Sequence, residues 1–121
     1  MKLFAVYLGG TAKGSTIEVH DIVFVIGEDI KKCLKQIKAK WFGDAKSVHI
    51  DSWAEISTID GYRIELSENK KNSNQKLFFI NLGYSLNDAF GEQHLMTFLA
   101  STDKEECKIK AKSIFPINSV G

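Results

Sequence analysis

The feature that most constrains the fold of this chain is an internal repeat. Residues about 2–42 match residues about 76–115 without gaps, each position recurring 74 residues later (76 − 2 = 74). The identities are Lys2-Leu3-Phe4 with Lys76-Leu77-Phe78, Leu8-Gly9 with Leu82-Gly83, Glu18-x-His20 with Glu92-x-His94, Phe24 with Phe98, Asp29 with Asp103, and Cys33 with Cys107. This match predicts a duplicated structural unit, so the 121 residues are expected to form one small domain from two copies.

Each copy predicts two strands in succession. In the first copy, the apolar run Leu3–Leu8 is followed by the Gly- and Ser-containing loop Gly9–Thr16 and then by the second strand, Val19–Ile26. The corresponding strands of the second copy are Leu77–Leu82 and Leu95–Ala100. The first run of each copy is continuous rather than alternating, which is typical of a strand covered on both faces.

A helix is predicted at the end of each copy, over residues about 28–40 and about 103–115. Their apolar arcs contain Ile30, Cys33, Leu34, Ile37 and Trp41 in the first helix, and Cys107, Ala111, Ile114 and Phe115 in the second. Thr102 and Glu105 have the spacing of a capping box, and Pro116 is expected to end the second helix. Both cysteines lie on core-facing arcs and lack metal-type spacing, so we expect buried, reduced thiols and a cytoplasmic protein.

Residues about 47–66 occur once and predict a hairpin between the copies. Ser47–Ile56 alternates as a strand, Asp60-Gly61 is a turn signal, and Tyr62–Leu66 is the expected returning strand. The polar segment Ser67–Gln75 then joins the hairpin to the second copy. The element order ββα–ββ–ββα predicts an α+β domain whose two helices cover one face of a largely antiparallel sheet, with a pseudo-twofold relation between copies.

The charge balance excludes partners that are recognised mainly through electrostatics. Sixteen Lys and Arg residues offset fifteen Asp and Glu residues, and only Arg63 is an arginine, so neither nucleic acid nor a membrane is an expected partner. No apolar stretch approaches the roughly 20 residues that span a bilayer. The expected partners are a small-molecule ligand and a second copy of the chain, because eight Phe, three Tyr and two Trp can supply a homodimer interface.

The duplicated Glu-x-His is the first candidate for chemistry. Residues i and i+2 of an extended segment share a side, so Glu18 can orient His20 and Glu92 can orient His94. A pseudo-twofold would bring the two imidazoles together, and such a set can bind zinc or act in general acid–base catalysis. The alternative is a structural role, since each histidine shares its face with apolar residues of its own strand.

His49, Asp51 and Trp53 form a second candidate, on the hairpin face opposite Val48 and Ile50. An imidazole–carboxylate pair beside an aromatic side chain suits a polar ligand or a partner's side chain. The alternative is a half-exposed strand whose tryptophan packs under a loop or helix. No cofactor is predicted and no metal ligand is assigned from residue spacing. The glycine-rich loop after the first strand lacks the phosphate-loop order and leads into a strand.

Six motifs of the chain recur together in a known family. They are Tyr7-Leu8-Gly9-Gly10, Glu18-Val19-His20-Asp21, Phe24-Val25-Ile26-Gly27, Lys40-Trp41-Phe42-Gly43, His49-Ile50-Asp51-x-Trp53 and Asp60-Gly61-Tyr62. These residues resemble the bacterial domain of unknown function 1543 family, over residues about 2–66. The resemblance implies one or two copies of the unit per chain and assigns no reaction, cofactor or catalytic residue. The second copy departs from it, with Leu95 in place of the aspartate and no hairpin after Pro116.

The sequence favours a non-enzymatic module that binds a small ligand or another protein, because no nucleophile–base–orienter spacing is present. The alternative is a small-metabolite enzyme or a metal-binding protein that uses the duplicated Glu-x-His segments. In that alternative His20 and His94, with Glu18 and Glu92, are the acid–base residues.

Overall fold

The computed structural model describes residues 1–69 and 73–114. The chain forms two compact units, unit 1 with Met1–Ser57 and Ile64–Glu68, and unit 2 with Thr58–Arg63 and Asn69–Gly121. Antiparallel strands and two α-helices make the chain an α+β protein, as predicted. No helix in the two described ranges is long and apolar enough to cross a membrane.

Unit 1 is built on a three-stranded antiparallel sheet. Its strands are β1 (Lys2–Gly10), β2 (Val19–Gly27) and β3 (His49–Glu55), in the spatial order β2-β1-β3. Because β1 is paired along both edges, its backbone groups are satisfied within the sheet. This central position explains the continuous apolar run of β1.

One face of this sheet carries the core of unit 1. A 3₁₀ turn (Lys31–Cys33) leads into helix α1 (Leu34–Lys40). The buried core consists of Phe4, Val6, Leu8, Val23, Val25, Cys33, Ile37 and Trp41. The predicted apolar arc is correct except at Leu34, which is 43% exposed. The tighter 3₁₀ turn before α1 has three residues per turn, and it rotates Leu34 off the arc calculated for a regular α-helix.

Unit 2 contains two small antiparallel sheets and a helix. The strands are β4 (Thr58–Ile59) paired with β5 (Tyr62–Arg63), and β6 (Lys76–Tyr84) paired with β7 (Gln93–Ser101). Helix α2 (Lys104–Ile114) follows β7. Its buried residues Cys107 and Ala111 pack with Leu99 of β7 in a small core. Both cysteines of the chain are therefore buried and free, as predicted.

The two long hairpins have the same pairing register when one is shifted by 74 residues. Lys2 lies opposite Gly27 and Gly10 opposite Val19, while Lys76 lies opposite Ser101 and Tyr84 opposite Gln93. A duplicated ββα unit would require this agreement, and the duplication itself stays a prediction.

The hairpin predicted between the copies is wrong in its pairing. Strand β3 pairs with β1, and the turn at Asp60 and Gly61 closes only the two-residue ladder of β4 and β5. Both turn residues have positive φ, 52° and 82°, which is the geometry this dipeptide favours. The free edge of β1 offers a longer ladder to β3 than the short returning strand does, which is the physical reason for the difference.

The predicted start of α2 also needs correction. Asp103, not Thr102, caps the helix, because its Oδ1 accepts a hydrogen bond of 2.8 Å from the backbone N–H of Glu106. The Thr102 hydroxyl instead donates to the Glu106 carboxylate. Phe115 and Pro116, predicted to end this helix, lie outside the described residues.

Candidate functional site

Gly9, near the end of β1, lies at the centre of the candidate site. It is directly opposite His20 of β2 on one side and His49 of β3 on the other. Residues directly opposite each other in antiparallel strands project from the same face of the sheet. The two imidazoles therefore flank a position without a side chain, and the space above Gly9 is open to them.

A β-bulge places Asp51 in the same group. Leu8 lies opposite Ile50 and Tyr7 opposite Ser52, so the ladder passes over Asp51. Bulges of this kind redirect the side chain of the extra residue. The Asp51 carboxylate has Oδ1 3.0 Å from His49 Nε2 and Oδ2 3.2 Å from His20 Nε2.

Glu18 completes the group from the residue just before β2. Its Oε1 lies 2.8 Å from His49 Nε2, and its Oε2 lies 3.5 Å from His20 Nε2. Each Nε2 atom thus faces both carboxylates. We call Glu18, His20, His49 and Asp51 the Gly9 cluster.

The Gly9 cluster lies at the surface and closes over the glycine. Its side chains are between 34% and 49% exposed, so solvent and small solutes can reach them. A Cβ atom built on Gly9 would lie 2.9 Å from Asp51 Oδ2, from Glu18 Oε1 and from His49 Nε2. Any other residue at this position would push the polar side-chain ends apart.

Backbone contacts near the end of β1 fix the start of β3, which carries His49. The Ser47 hydroxyl donates to the Asp44 carbonyl at 2.7 Å and accepts from the Thr11 N–H at 2.9 Å. The Asp44 N–H donates to the Thr11 carbonyl at 2.7 Å, and the Trp41 indole N–H donates to the Asp44 carbonyl at 3.1 Å. These bonds anchor the segment before β3 to the residue after Gly9 and Gly10, and so position His49.

An aromatic contact supports His20 from the neighbouring strand. The rings of Tyr7 and His20 have centroids 5.1 Å apart and planes tilted by 35°. Tyr7 therefore limits the orientations open to the His20 imidazole.

Trp53 does not join the Gly9 cluster, although the sequence placed it on one face with His49 and Asp51. It lies opposite Val6, and its ring makes an edge contact with Phe4, with centroids 5.7 Å apart. Both of these partners belong to the buried core, whereas Gly9 and His49 belong to the other face of the sheet. The bulge at Asp51 shifts the alternation of β3 by one residue, which moves Trp53 to the core-side face.

The second Glu-x-His pair lies in unit 2 and has fewer partners. Glu92 Oε2 is 3.6 Å from His94 Nε2, and His94 Nδ1 is 3.0 Å from Asn81 Oδ1. His94 lies opposite Gly83, as His20 lies opposite Gly9. Within the described residues the β6–β7 sheet has two strands, so no third strand there supplies counterparts of His49 and Asp51. The convergence of His20 with His94 at a pseudo-twofold stays a prediction.

The sequence predicts all four cluster residues, but in two separate candidates. It does not reveal that β1 lies between their strands or that Gly9 leaves room for them. The available signal was the Leu-Gly pair that precedes Glu-x-His in both copies, Leu8-Gly9 and Leu82-Gly83. A glycine retained beside the same polar motif indicates close approach of side chains.

The chain is a small α+β protein in which two imidazoles and two carboxylates form a surface cluster over Gly9. A family model described as Domain of Unknown Function (DUF1543) matches residues 15–66, which include all four cluster residues. The chain is also similar to a crystal structure of the protein Il1583 from Idiomarina loihiensis. The two are 34% identical with a TM-score of 0.78, over 94% of this chain and 72% of that chain. No curated protein matches significantly. The chain belongs to the DUF1543 family, as its motifs predicted.

Proposed function

We propose that this chain is a small-ligand-binding protein and that the Gly9 cluster is its ligand site. The observation that carries the proposal is the convergence of four polar side chains from separate parts of the chain. Both imidazole Nε2 atoms lie between 2.8 and 3.5 Å from oxygens of both carboxylates. Such a concentration of donors and acceptors that solvent can reach is typical of a binding site.

Stability alone does not account for this arrangement. Exposed ion pairs contribute about 0–1 kcal/mol each, because water screens them. A glycine inside a strand costs about 0.5–1 kcal/mol relative to alanine, and the bulge at Asp51 interrupts the ladder. The local features that create the Gly9 cluster therefore weaken the sheet about as much as its contacts strengthen it, which favours a functional role.

The chemistry of the cluster indicates a cationic or hydrogen-bond-donating ligand. Two carboxylates provide up to four acceptor oxygens, and each imidazole nitrogen either donates or offers a lone pair. When the imidazoles are counted as neutral, the cluster carries a formal charge of −2 from its two carboxylates. The ligand group that enters must be small, since the facing polar atoms are separated by hydrogen-bond distances.

A second candidate function is acid–base catalysis on a small metabolite. The contact between His49 Nε2 and Glu18 Oε1, 2.8 Å long, supports it, because a carboxylate beside an imidazole orients the ring. This candidate uses the same site and would bind its substrate there. The same binding experiment therefore addresses both.

The experiment follows the three histidines of the chain by side-chain NMR. The probes are methylammonium, guanidinium, glycine, inorganic phosphate, MgCl₂ and ZnCl₂, each titrated to millimolar concentration. We expect at least one probe to shift the His20 and His49 signals in a saturable manner. His94 is the internal control, because its side chain is 46% exposed, close to the 49% of His49, and also has a glutamate neighbour.

Two variants test the assignment to the cluster. His49→Ala is expected to abolish the saturable response of His20, and His94→Ala is expected to leave it unchanged. The proposal is overturned when no probe moves His20 and His49 in the wild-type protein. It is equally overturned when the response survives His49→Ala.

A further inference from the structure

We propose that the outer edge of β6 binds an extended segment of a partner protein as an additional strand. The segment takes the place beside β6 that β3 takes beside β1, and it carries two apolar side chains followed by an acidic one. This interaction surface belongs to unit 2, and it does not depend on the ligand site over Gly9.

The two long hairpins differ in what pairs with the outer edge of their first strand. In unit 1, β1 pairs with β2 along one edge and with β3 along the other. Within residues 1–69 and 73–114, β6 pairs with β7 alone. Because β6 has the same length and hairpin register as β1, its outer edge presents the same row of backbone donors and acceptors that β1 directs to β3.

The apolar side chains of β6 are less buried than those at the same positions of β1. Three side chains on the core face of β1 are at most 2% exposed, whereas their equivalents 74 residues later are only half-buried: Phe4, Val6 and Leu8 compared with Phe78, Ile80 and Leu82. In unit 1, Val48 and Ile50 pack against this core from the side of β3. The difference in burial therefore marks the place where a third strand covers the sheet in one unit and not among the described residues of the other.

An open cavity of about 290 Å³ lies between β6 and α2. Its lining includes the apolar side chains of Ile80, Leu82 and Ala111. Ala111 stands where unit 1 has the larger Ile37, and this substitution widens the space. An apolar cavity of about 150 Å³ already accepts benzene, so this one has room for a large apolar side chain.

Strand β3 shows which apolar side chains an edge of this kind accepts. It places Ile50 opposite Leu8 and Trp53 opposite Val6, both on the core face of the sheet. The same register on β6 places one apolar side chain at the cavity and a second one two positions along the strand. Strand addition of this kind takes its affinity from main-chain hydrogen bonds and its specificity from such side-chain positions.

Lysines beside this edge favour an acidic residue in the bound segment. Glu55 of β3 forms an ion pair of 3.6 Å with Lys2. Lys76 is the equivalent of Lys2, and it has no ion pair among the residues that the structure describes. Lys108 and Lys112 add positive charge at the cavity. The segment is therefore expected to carry an acidic residue in the place of Glu55, and pairing with β6 of a second copy is disfavoured because it would bring these lysines together.

The experiment titrates the full chain with a synthetic peptide of residues 47–57, which contains all of β3. The backbone amide NMR signals of the protein follow binding. We expect saturable shifts at millimolar peptide in β6 and at Ala111 of α2. The amides of β1 are the internal control, and they should not shift, because β3 already occupies that edge.

Two methylated peptides test whether binding occurs through strand pairing. The Ile56 N–H donates to the Leu3 carbonyl at 2.8 Å, so the N–H of Ala54, two residues earlier, also points toward β1. A peptide N-methylated at Ala54 should bind at least about tenfold more weakly, because it loses a hydrogen bond of the ladder. A peptide N-methylated at Glu55, whose N–H points away from β1, should bind nearly as well as the unmodified peptide.

A pair of equivalent substitutions tests the acidic residue. Lys76→Glu should weaken binding of the peptide about three- to tenfold at low ionic strength, because a favourable exposed pair becomes a repulsive one. Lys2→Glu makes the same change at the equivalent position of unit 1 and should leave the affinity unchanged. Both lysines are exposed, and circular dichroism of each variant establishes that it is folded.

Three results would overturn the inference. The first is the absence of shifts in β6 at millimolar peptide. The second is equal affinity of the two methylated peptides, since binding would then not use the strand edge. The third is a protein of twice the chain mass whose β6 signals change with protein concentration, which would identify a second copy as the occupant. None of them alters the expected response of His20 and His49, so the ligand site is tested separately.

Discussion

Replacing Gly9 with alanine should disable the Gly9 cluster while leaving the fold almost equally stable. The added Cβ would lie 2.9 Å from Asp51 Oδ2, Glu18 Oε1 and His49 Nε2, whereas ordinary contact begins at 3.4 Å. Each of these three atoms must therefore retreat by about half an ångström. All three are the ends of half-exposed side chains, so they can move outward without disturbing the core.

The expected change in stability follows from two opposing contributions. Stretching the exposed contacts of the cluster loses about 0.5 kcal/mol for each pair that separates. Alanine in a strand regains about 0.5–1 kcal/mol relative to glycine, and Gly9 is not among the described residues with positive φ, so its backbone suits alanine. The free energy of unfolding should change by less than about 1 kcal/mol, and the melting temperature by no more than about 4–8 °C.

Ligand binding should respond far more strongly than stability. Loss of a single charge-assisted contact of about 1.5 kcal/mol weakens binding about tenfold. We therefore expect Gly9→Ala to shift the His20 and His49 NMR signals and to weaken, at least about tenfold, the binding of the probe that saturates them in the wild-type protein. Thermal denaturation measures the change in stability, and the histidine NMR titration measures the change in binding.

Gly83→Ala is the matched control in unit 2. The nearest atoms to a Cβ there belong to the Glu92 side chain, so Gly83→Ala should move the His94 signal and leave His20 and His49 unchanged. The reasoning fails when Gly9→Ala leaves the NMR signals of both cluster histidines and the affinity for that probe at wild-type values. It also fails when Gly9→Ala unfolds the protein by several kcal/mol, since the side-chain ends would then not be free to yield.

Four further results are expected. Ile37→Ala removes a side chain that is 2% exposed in the core of unit 1, and it should cost about 2–5 kcal/mol in urea denaturation; a cost below about 1 kcal/mol would contradict the packing described. Hydrogen bonds from Thr102 and then Lys110 lower the pKa of Glu106 in the folded protein. Ionised Glu106 therefore contributes to stability above the ordinary glutamate pKa, and this contribution is lost as the pH falls through the lowered pKa of the folded state. The difference in unfolding free energy between wild type and Glu106→Gln should vanish in strong acid, and a difference that is independent of pH would refute this prediction. Burial raises the pKa of the Cys107 thiol, and Cys33 is fully buried. Both thiols should therefore react slowly with a disulfide reagent until the protein is unfolded, and immediate reaction of two thiols in the native protein would contradict their burial. The homodimer predicted from the aromatic content should have twice the mass of the chain in light scattering. A measured mass of one chain at all micromolar concentrations would contradict that prediction.

Local patterns in the sequence were sufficient for much of the architecture. The apolar runs located β1 and β6, and helical periodicity placed Cys33, Ile37 and Cys107 in the cores. The α+β class followed from the order of these elements. These features depend on neighbours in the chain, and such neighbours are visible in a linear sequence.

Pairing between distant strands was not predictable in the same way. Strand β3 was expected to return against residues 62–66, but it pairs with β1, where a longer ladder is available. The choice depends on which edge is free in the folded sheet, a property of the whole unit. The residue that caps α2 was also not predictable from the sequence, because both Asp103 and Thr102 have suitable side chains. In the folded structure Asp103 accepts from the Glu106 N–H, while Thr102 donates to the Glu106 carboxylate.

The candidate site shows most clearly which features the sequence determines and which require the tertiary structure. The sequence by itself determined which residues are suited to chemistry, namely Glu18 with His20 and His49 with Asp51, because residue type and spacing carry that information. Only the tertiary structure joined the pairs across Gly9 and moved Trp53 to the opposite face. The physical reason is that β1 lies between two strands distant in sequence, and a one-residue bulge reverses which side chains share a face.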